Sequence, residues 1–381
     1  MIIQIDGVNT QNKGAELMLV AILEELSNNF PNAVVYINPD SKFDINKLPK
    51  FNIKIKLRFG LILGRYINPL FAKIGIKKPL NYFKENYAMK SIDIVLDASG
   101  FKYSDQWKRS IKWINEKEKY YQKLTSNKTK IIFLTQAFGP FSTENGKKSF
   151  QVLDKYCTLI FAREKTSFNF IFDIAINKDK IFQSYDFTLK VKGNVPKKYQ
   201  YLRDSVAIIP NKKMVSHGNK NQDKYINLLV KSINYFKSIN LNVFLLNHES
   251  EGDLDICREV NSKLEEKIEI IFGLKAKEVK GLIGISQFVI SSRFHGVASA
   301  LSQGVPCIST SWNHKYEELF KDFGQKDCII NSEASLEDSL EKIRLTYENK
   351  EEITAVLKAT KKNIVGQIDN MWSLVFNQFV L

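Results

Sequence analysis

Phe288-Val289-Ile290-Ser291-Ser292-Arg293-Phe294-His295-Gly296-Val297-Ala298-Ser299-Ala300 packs a strand, a polar turn and the start of a helix into thirteen residues. The apolar run ends in two serines. An arginine and a histidine follow on alternate positions, and small residues then open a helix over Gly296–Gln303. A strand that feeds a helix in this way is half of a βαβ crossover, and the chain repeats the pattern on both sides of it. Upstream, strands are expected at Ile2–Asp6, Ala33–Asn38, Ile92–Asp97, Ile131–Thr135, Leu159–Ala162 and Ile181–Gln183. An amphipathic helix is expected at Gly14–Asn29. A basic stretch without apolar periodicity, Lys190–Arg203, carries Gly193 and Pro196 and interrupts the series. The alternation then restarts with strands at Ser205–Ile209, Asn242–Leu246, Ile268–Phe272, Phe288–Ser291 and Cys307–Ser309. Helices separate them, and the chain reads as helical from Ser335 to Leu381. The expected class is α/β: two Rossmann-like domains facing each other across a cleft, with C-terminal helices. The expected division is 1–195, 196–355, and a terminal helix over 356–381 that packs back on the first domain. In open sheets of this kind ligands bind at the carboxyl ends of the strands, so the chemistry is sought in the loops that follow them.

A length of 381 residues suits two cores rather than one. No apolar run is long enough for a membrane span, and the N-terminus has no basic leader pattern, so the chain reads as cytoplasmic. Cys157, Cys257, Cys307 and Cys328 lie far apart with no CxxC pair, which favours buried free thiols over a disulfide or metal set. The net charge of +15 asks for an anionic partner. The excess concentrates between Phe51 and Lys84, where eight basic residues and no acid alternate with aliphatic and aromatic ones. Such a segment suits an anionic lipid surface, on the inner face of the plasma membrane. The competing reading is a strand with short helices whose lysines are simply solvated. Nucleic-acid binding is disfavoured, because the aromatics here sit among aliphatics rather than interleaved along a groove. No GxGxxG follows the first strand and no GxSxG occurs, which disfavours a dinucleotide enzyme and a serine hydrolase.

At the end of the strand 288–291, Arg293, His295, the hydroxyls of Ser291 and Ser292 and the N–H groups opening at Gly296 converge on a seat for phosphate or carboxylate. The turn after the first strand carries Asn9, Asn12, Lys13 and Gly14, where an amide and backbone N–H groups can hold a hydroxyl or phosphate. These are also ordinary cap and turn residues. Glu16 reads as a structural carboxylate in the first helical turn. Asp97, Ser99, Gly100 and Asp105 follow another strand and are candidates to orient or deprotonate a hydroxyl. His248 and Glu249 follow the strand 242–246 and are candidates for an acceptor contact or a second acid/base.

The segment from Ser291 to Gly296, with Gly304-Val305-Pro306, resembles the Arg-x-His and Gly-Val-Pro region of the polysaccharide pyruvyltransferase family. Five further segments resemble it in the same order: Gly7–Glu16, Thr135–Phe141 with its Gln136-x-x-Gly-Pro-Phe turn, Ala162–Ser167, Asp186-Phe187, and Trp312–Lys315. The resemblance spans residues 1–330. One place departs from it. Where members often carry three glycines after the third strand, this chain has Asp97-Ala98-Ser99-Gly100-Phe101. The resemblance implies a GT-B-like fold and transfer of an enolpyruvyl-derived group from phosphoenolpyruvate to a sugar, as a ketal, with no other cofactor and no metal. It implies Arg163, Arg293, Ser292, His295, Gly296 and Lys315 as donor ligands, with His295 the favoured acid/base. The acceptor, a surface polysaccharide or a lipid-linked oligosaccharide, falls to Asn9, Asn12, Lys13, Gly14, Ser99, Gly100, Gln136 and Glu249. The rival readings are a nucleotide-sugar glycosyltransferase on the same plan and a non-enzymatic basic protein that binds polyanions. If the basic segment touches lipid, neutralising Lys54, Lys56, Arg58, Lys77 and Lys78 together should abolish sedimentation with anionic vesicles, and unchanged sedimentation would exclude that contact.

Overall fold

The computed structural model describes residues 1–39, 43–57, 92–216, 222–249, 251–310, 314–331 and 333–379. Two compact units divide the chain. The first comprises Met1–Thr10, Met18–Phe187 and Ile368–Leu381, and the second Gln11–Leu17 and Thr188–Gln367.

In the first unit, strands β1 (Ile2–Asp6), β2 (Val34–Asn38), β3 (Lys54–Leu57), β4 (Ile94–Asp97), β5 (Phe101–Tyr103), β6 (Lys130–Phe138), β7 (Leu159–Ala162) and β8 (Ile181–Gln183) form a parallel sheet. Its order is β3-β2-β1-β4-β6-β7-β8, with β5 also paired to β6. Helices α1 (Lys13–Asn29), whose residues up to Leu17 are counted with the second unit, α2 (Ile111–Ser126), α3 (Glu144–Tyr156) and α4 (Lys165–Phe172) alternate with the strands. The inner strands β1, β4, β6 and β7 are buried almost throughout and mostly apolar, as in a parallel sheet covered on both faces. Ile131, Phe133, Phe150, Leu153 and Ile160 belong to one buried cluster between strands and helices. Side-chain caps set the helix starts: Ser110 accepts from the Trp113 N–H and Thr143 from the Gly146 N–H. At the chain's end, Trp372 meets Phe187 edge-on, Phe376 and Phe379 pack on Phe30, and Lys130 Nζ donates to the Gln378 carbonyl at 2.7 Å.

The second unit repeats the plan. Strands β9 (Val206–Ile209), β10 (Val243–Leu246), β11 (Glu269–Ile271), β12 (Phe288–Ser291), β13 (Cys307–Thr310) and β14 (Ile329–Ile330) form a parallel sheet ordered β11-β10-β9-β12-β13-β14. The helices are α5 (Lys213–Ser216), α6 (Gln222–Ser238), α7 (Glu251–Ser262), α8 (Ala276–Ile285), α9 (Phe294–Leu301), α10 (His314–Asp322), α11 (Leu336–Glu348) and α12 (Lys350–Asn377). The last residues of α12 are counted with the first unit. In both sheets the strand order reverses beside the first strand, at β1/β4 and at β9/β12, which is where a crevice opens at the strands' carboxyl ends.

The α/β class, the two parallel sheets and the C-terminal helices are as expected, and all four cysteines are free and buried. Strands β5 and β14 escaped prediction because three and two residues carry no readable period. Of the basic segment 51–84, residues 58–84 lie outside the described residues. Lys54 and Lys56 lie exposed on β3, at the end of the strand order, where such lysines discourage further pairing. Among the described residues no helix is long and apolar enough to cross a membrane.

At the first reversal, Asp6 and Asp97 are register partners at the ends of β1 and β4, and both are buried. Asp6 accepts from Gln4 Nε2 (2.7 Å), Asn38 Nδ2 (3.0 Å) and the Tyr120 hydroxyl (2.7 Å). Burial, and then the charge of Asp97, push the Asp6 pKa up. The hydrogen bonds from Tyr120 and Asn38 oppose the rise. Gly7 follows at φ +77°, and any Cβ there would lie 2.1 Å from Ser99 Oγ, so the two turns meet backbone to side chain. A carboxyl with a raised folded pKa holds its proton more tightly folded than unfolded. Its contribution to stability is therefore complete below the unfolded pKa and is lost as pH rises through the folded one. In denaturant titrations Asp6→Asn should gain on the wild type as pH rises from about 4 to 7; a constant difference would remove Asp6 as the cause.

Candidate functional site

The strand β12 ends at Ser291, and Arg293, in extended conformation, is the N-cap residue of α9. The helix starts at Phe294, two residues ahead of the expected Gly296, because Ser291 clasps the turn. Its hydroxyl accepts from the Arg293 N–H and donates to the Arg293 carbonyl, both at 3.1 Å. His295 thus stands in the first turn, among N–H groups that lack helical partners.

The Ser292 side chain, expected to touch donor, is instead part of the frame. Its hydroxyl meets the Tyr225 hydroxyl at 3.0 Å, and its carbonyl accepts from Asn211 Nδ2 and the Tyr316 hydroxyl, each at 2.8 Å. Asn211 follows β9, so the two strand ends that flank the reversal are bonded together through this serine. Gly296 is buried in the first turn of α9. Lys315, in α10, places its ammonium 5.2 Å from the Phe294 ring centroid. Trp312 and Asn313 lie outside the described residues.

Around Arg293 the second unit gathers residues distant in sequence. Glu249 and Asp253, in the loop after β10 and the first turn of α7, both pair with its guanidinium, Asp253 Oδ1 lying 2.5 Å from Nη2. The same Asp253 oxygen accepts from the Lys212 N–H at 3.0 Å. Glu249 also accepts from Asn12 Nδ2. Asn12 Oδ1 in turn accepts from the N–H groups of Gly14 (2.8 Å) and Ala15 (3.2 Å), capping α1. Lys13 pairs with Glu16 at 2.7 Å, and the other Glu16 oxygen caps α8 through the Ala276 N–H, so Glu16 is structural as expected. Gly14 lies against His295: a Cβ there would be 2.2 Å from Nδ1.

Burial pushes the Arg293 pKa down, to about 10, and leaves it charged at neutral pH. Burial also pushes the His248 pKa well below its usual range, helped by the charges of Arg293, His295 and Lys13, so His248 is neutral. Lys213 is lowered by burial and by Arg293. Asn12, Lys13, Gly14, His248, Glu249, Arg293 and His295 therefore form one cluster. Glu249, expected to face an acceptor, is committed to Arg293 and Asn12.

The remaining sequence candidates belong to the first unit. Asp97 is buried and accepts from the Ser99 N–H (2.9 Å) and Gln136 Nε2 (3.1 Å), which makes it an internal brace of the turn rather than an open base. Ser99 and Gly100 stay half-buried beside it, and Asn9 is half-buried in the first loop. Asp105 holds the start of α3 through Thr143 and Ser142. Burial raises its pKa, but those hydrogen bonds outweigh it and leave it low, which makes it a poor base. Arg163 is enclosed by Glu164 (3.3 Å) and Asp186 (3.6 Å), not presented as an open fork. Sequence reasoning missed Asp253, Asn211 and Asp6. The readable signal for Asp253 was the acidic run Glu249–Asp253 directly after β10 in an otherwise basic chain.

The family model of polysaccharide pyruvyl transferases matches residues 12–314, which include every residue of the cluster around Arg293. The chain belongs to this family. No curated protein sequence matches it. Among solved structures it is similar to Anabaena HepE in complex with UDP and glucose (TM-score 0.59, 12% identity, 99% of each chain covered). It is also similar to a Neisseria meningitidis UDP-GlcNAc 2-epimerase bound to UDP-GlcNAc (0.61, 11%, covering 97% of this chain and 99% of that one). A glycosyltransferase from Rickettsia africae gives 0.58 at 13%, covering 100% of this chain and 98% of that one. At these identities the likeness establishes a GT-B-like fold for this family member and nothing finer. In the pyruvyl transferase cluster, Gly14→Ala should drive a methyl into the His295 ring. The expected result is activity lowered at least about tenfold, on the order of 1.4 kcal/mol of barrier, with a melting point near wild type. Undiminished turnover would show that the close approach is dispensable.

Proposed function

We propose that this transferase moves an enolpyruvyl-derived group from phosphoenolpyruvate to a sugar of a surface polysaccharide or its lipid-linked precursor, forming a pyruvyl ketal and releasing phosphate. The observation that carries this reading is the seating of Arg293 and His295 together at the β9/β12 reversal, with Lys13 and His248 beside them. The chemistry needs a fixed cation for a dianionic donor, and a group that moves a proton near neutral pH. Arg293 supplies the first, at the start of α9, where the helix dipole favours an anion. His295 supplies the second.

The methylene carbon of phosphoenolpyruvate takes a proton, and a sugar hydroxyl attacks the resulting oxocarbenium carbon. Its bond to the phosphate oxygen breaks, and a second hydroxyl closes the ketal. The two protons lost by the hydroxyls balance the one gained by carbon and the one carried off by phosphate. His248, buried and neutral, keeps a second positive charge from opposing Arg293. We assign the acceptor to Ser99, Gly100 and Asn9, which keep partial exposure at strand ends of the first unit.

A nucleotide-sugar donor is the other reading, since the Anabaena HepE and Neisseria meningitidis epimerase structures hold UDP with glucose and UDP-GlcNAc. It fits less well, because the helix after Arg293, Phe294–Leu301, carries no carboxylate to hold a ribose. Thermal unfolding with phosphoenolpyruvate, beside UDP-glucose and UDP-GlcNAc, separates the two. At about a hundredfold excess over Kd a ligand adds about 2.7 kcal/mol to the native state. Phosphoenolpyruvate should raise the melting point of the wild type and not that of Arg293→Lys, which keeps the charge and loses the fork. A shift with the nucleotide sugars alone would replace the donor.

A further inference from the structure

The Arg293 guanidinium holds two carboxylates, and they are not equivalent. Asp253 has a wholly buried side chain, sits in the first turn of α7, and is anchored a second time by the Lys212 N–H. The Glu249 side chain keeps 19% of its surface exposed, lies in the loop before α7, and is otherwise held by the Asn12 amide. The Arg293 Nε–H is buried and donates to no acceptor among the described residues. With two carboxylates on one guanidinium, the single positive charge the donor needs is already more than neutralised. A dianion arriving there would meet Glu249 as a like charge.

We propose that Asp253 is the positioning residue that fixes the Arg293 fork, while Glu249 is a stand-in anion that the donor replaces on binding. This rests on the reading of Arg293 as the donor's ligand. An incoming phosphate or carboxylate takes the Nη1 position that Glu249 vacates, at the edge of the guanidinium away from Nε. Asp253 stays in place, so the guanidinium plane is preset and the fork is not reordered at each turnover. The Asn12 amide is released in the same exchange and becomes a donor to the bound anion. Glu249 thus sets a threshold of selectivity: a weakly charged ligand does not displace it, whereas a dianion does.

The two carboxylates therefore predict substitutions of opposite sign. In calorimetric titrations with phosphoenolpyruvate and with inorganic phosphate, Glu249→Gln should bind both about tenfold more tightly than the wild type, and Asp253→Asn about tenfold more weakly. In steady-state assays Glu249→Gln should lower the KM for the donor by a larger factor than it alters kcat, the mark of a change that acts mainly on binding. Glu249→Ala, with the same melting point as wild type, should repeat the tightening and guards against a fold defect at Asp253. Unchanged or weaker binding by both Glu249 variants, with phosphoenolpyruvate still bound by the wild type, overturns the exchange and leaves the donor reading standing. Binding of neither anion by any variant overturns both.

Discussion

A guanidinium largely withdrawn from water has to be neutralised where it lies, and in the second unit that requirement organises the surroundings of Arg293. Its two carboxylates come from one loop and one helix start after β10, and the first of them reaches the amide that caps α1. Removing Arg293 would leave the wholly buried Asp253 carboxylate uncompensated, a cost of about 3–5 kcal/mol. The neutral state of His248 follows first from its burial and then from the charges of Arg293, His295 and Lys13.

Backbone proximity does the rest of the positioning. Gly14 allows the first turn of α1 to lie on the His295 ring, and Asn12 ties that turn to Glu249. Short polar segments from positions near 12, 212, 249 and 293 are thereby gathered into one cluster, with Ser292, Asn211, Tyr225 and Tyr316 bonded behind it. A site assembled on strand ends and helix starts, with its hydroxyls and carbonyls already satisfied, presents few groups that must reorganise when a ligand arrives.

The first unit uses the same topology for a different balance. At its reversal the carboxylates Asp6 and Asp97 stand side by side, held mainly by amides and a tyrosine, with the charge of Lys117 a smaller aid to Asp6. Asp6 responds with a raised pKa. Arg163, by contrast, is closed in by Glu164 and Asp186, so the arginine of the first unit and that of the second are both carboxylate-bound.

The alternation of apolar strands with amphipathic helices determined the α/β class and both sheets from the sequence alone, because local periodicity decides which faces are buried. The Arg-x-His turn, the first-loop Asn-Lys-Gly and the family itself were legible for the same reason: they are contiguous residues at predictable strand ends. Which side chains meet was decided only by tertiary structure. Asp253 is separated from Arg293 by two strands and a helix, and no local signal says that its carboxylate is wholly buried against the fork. Asp97, Asp105 and Ser292 carried the right chemistry for catalysis, yet each is consumed by a hydrogen bond to a neighbouring turn or strand. Charge and hydroxyl content can be read along a chain, but whether a group is free to act depends on partners that only folding brings within about 3 Å of it.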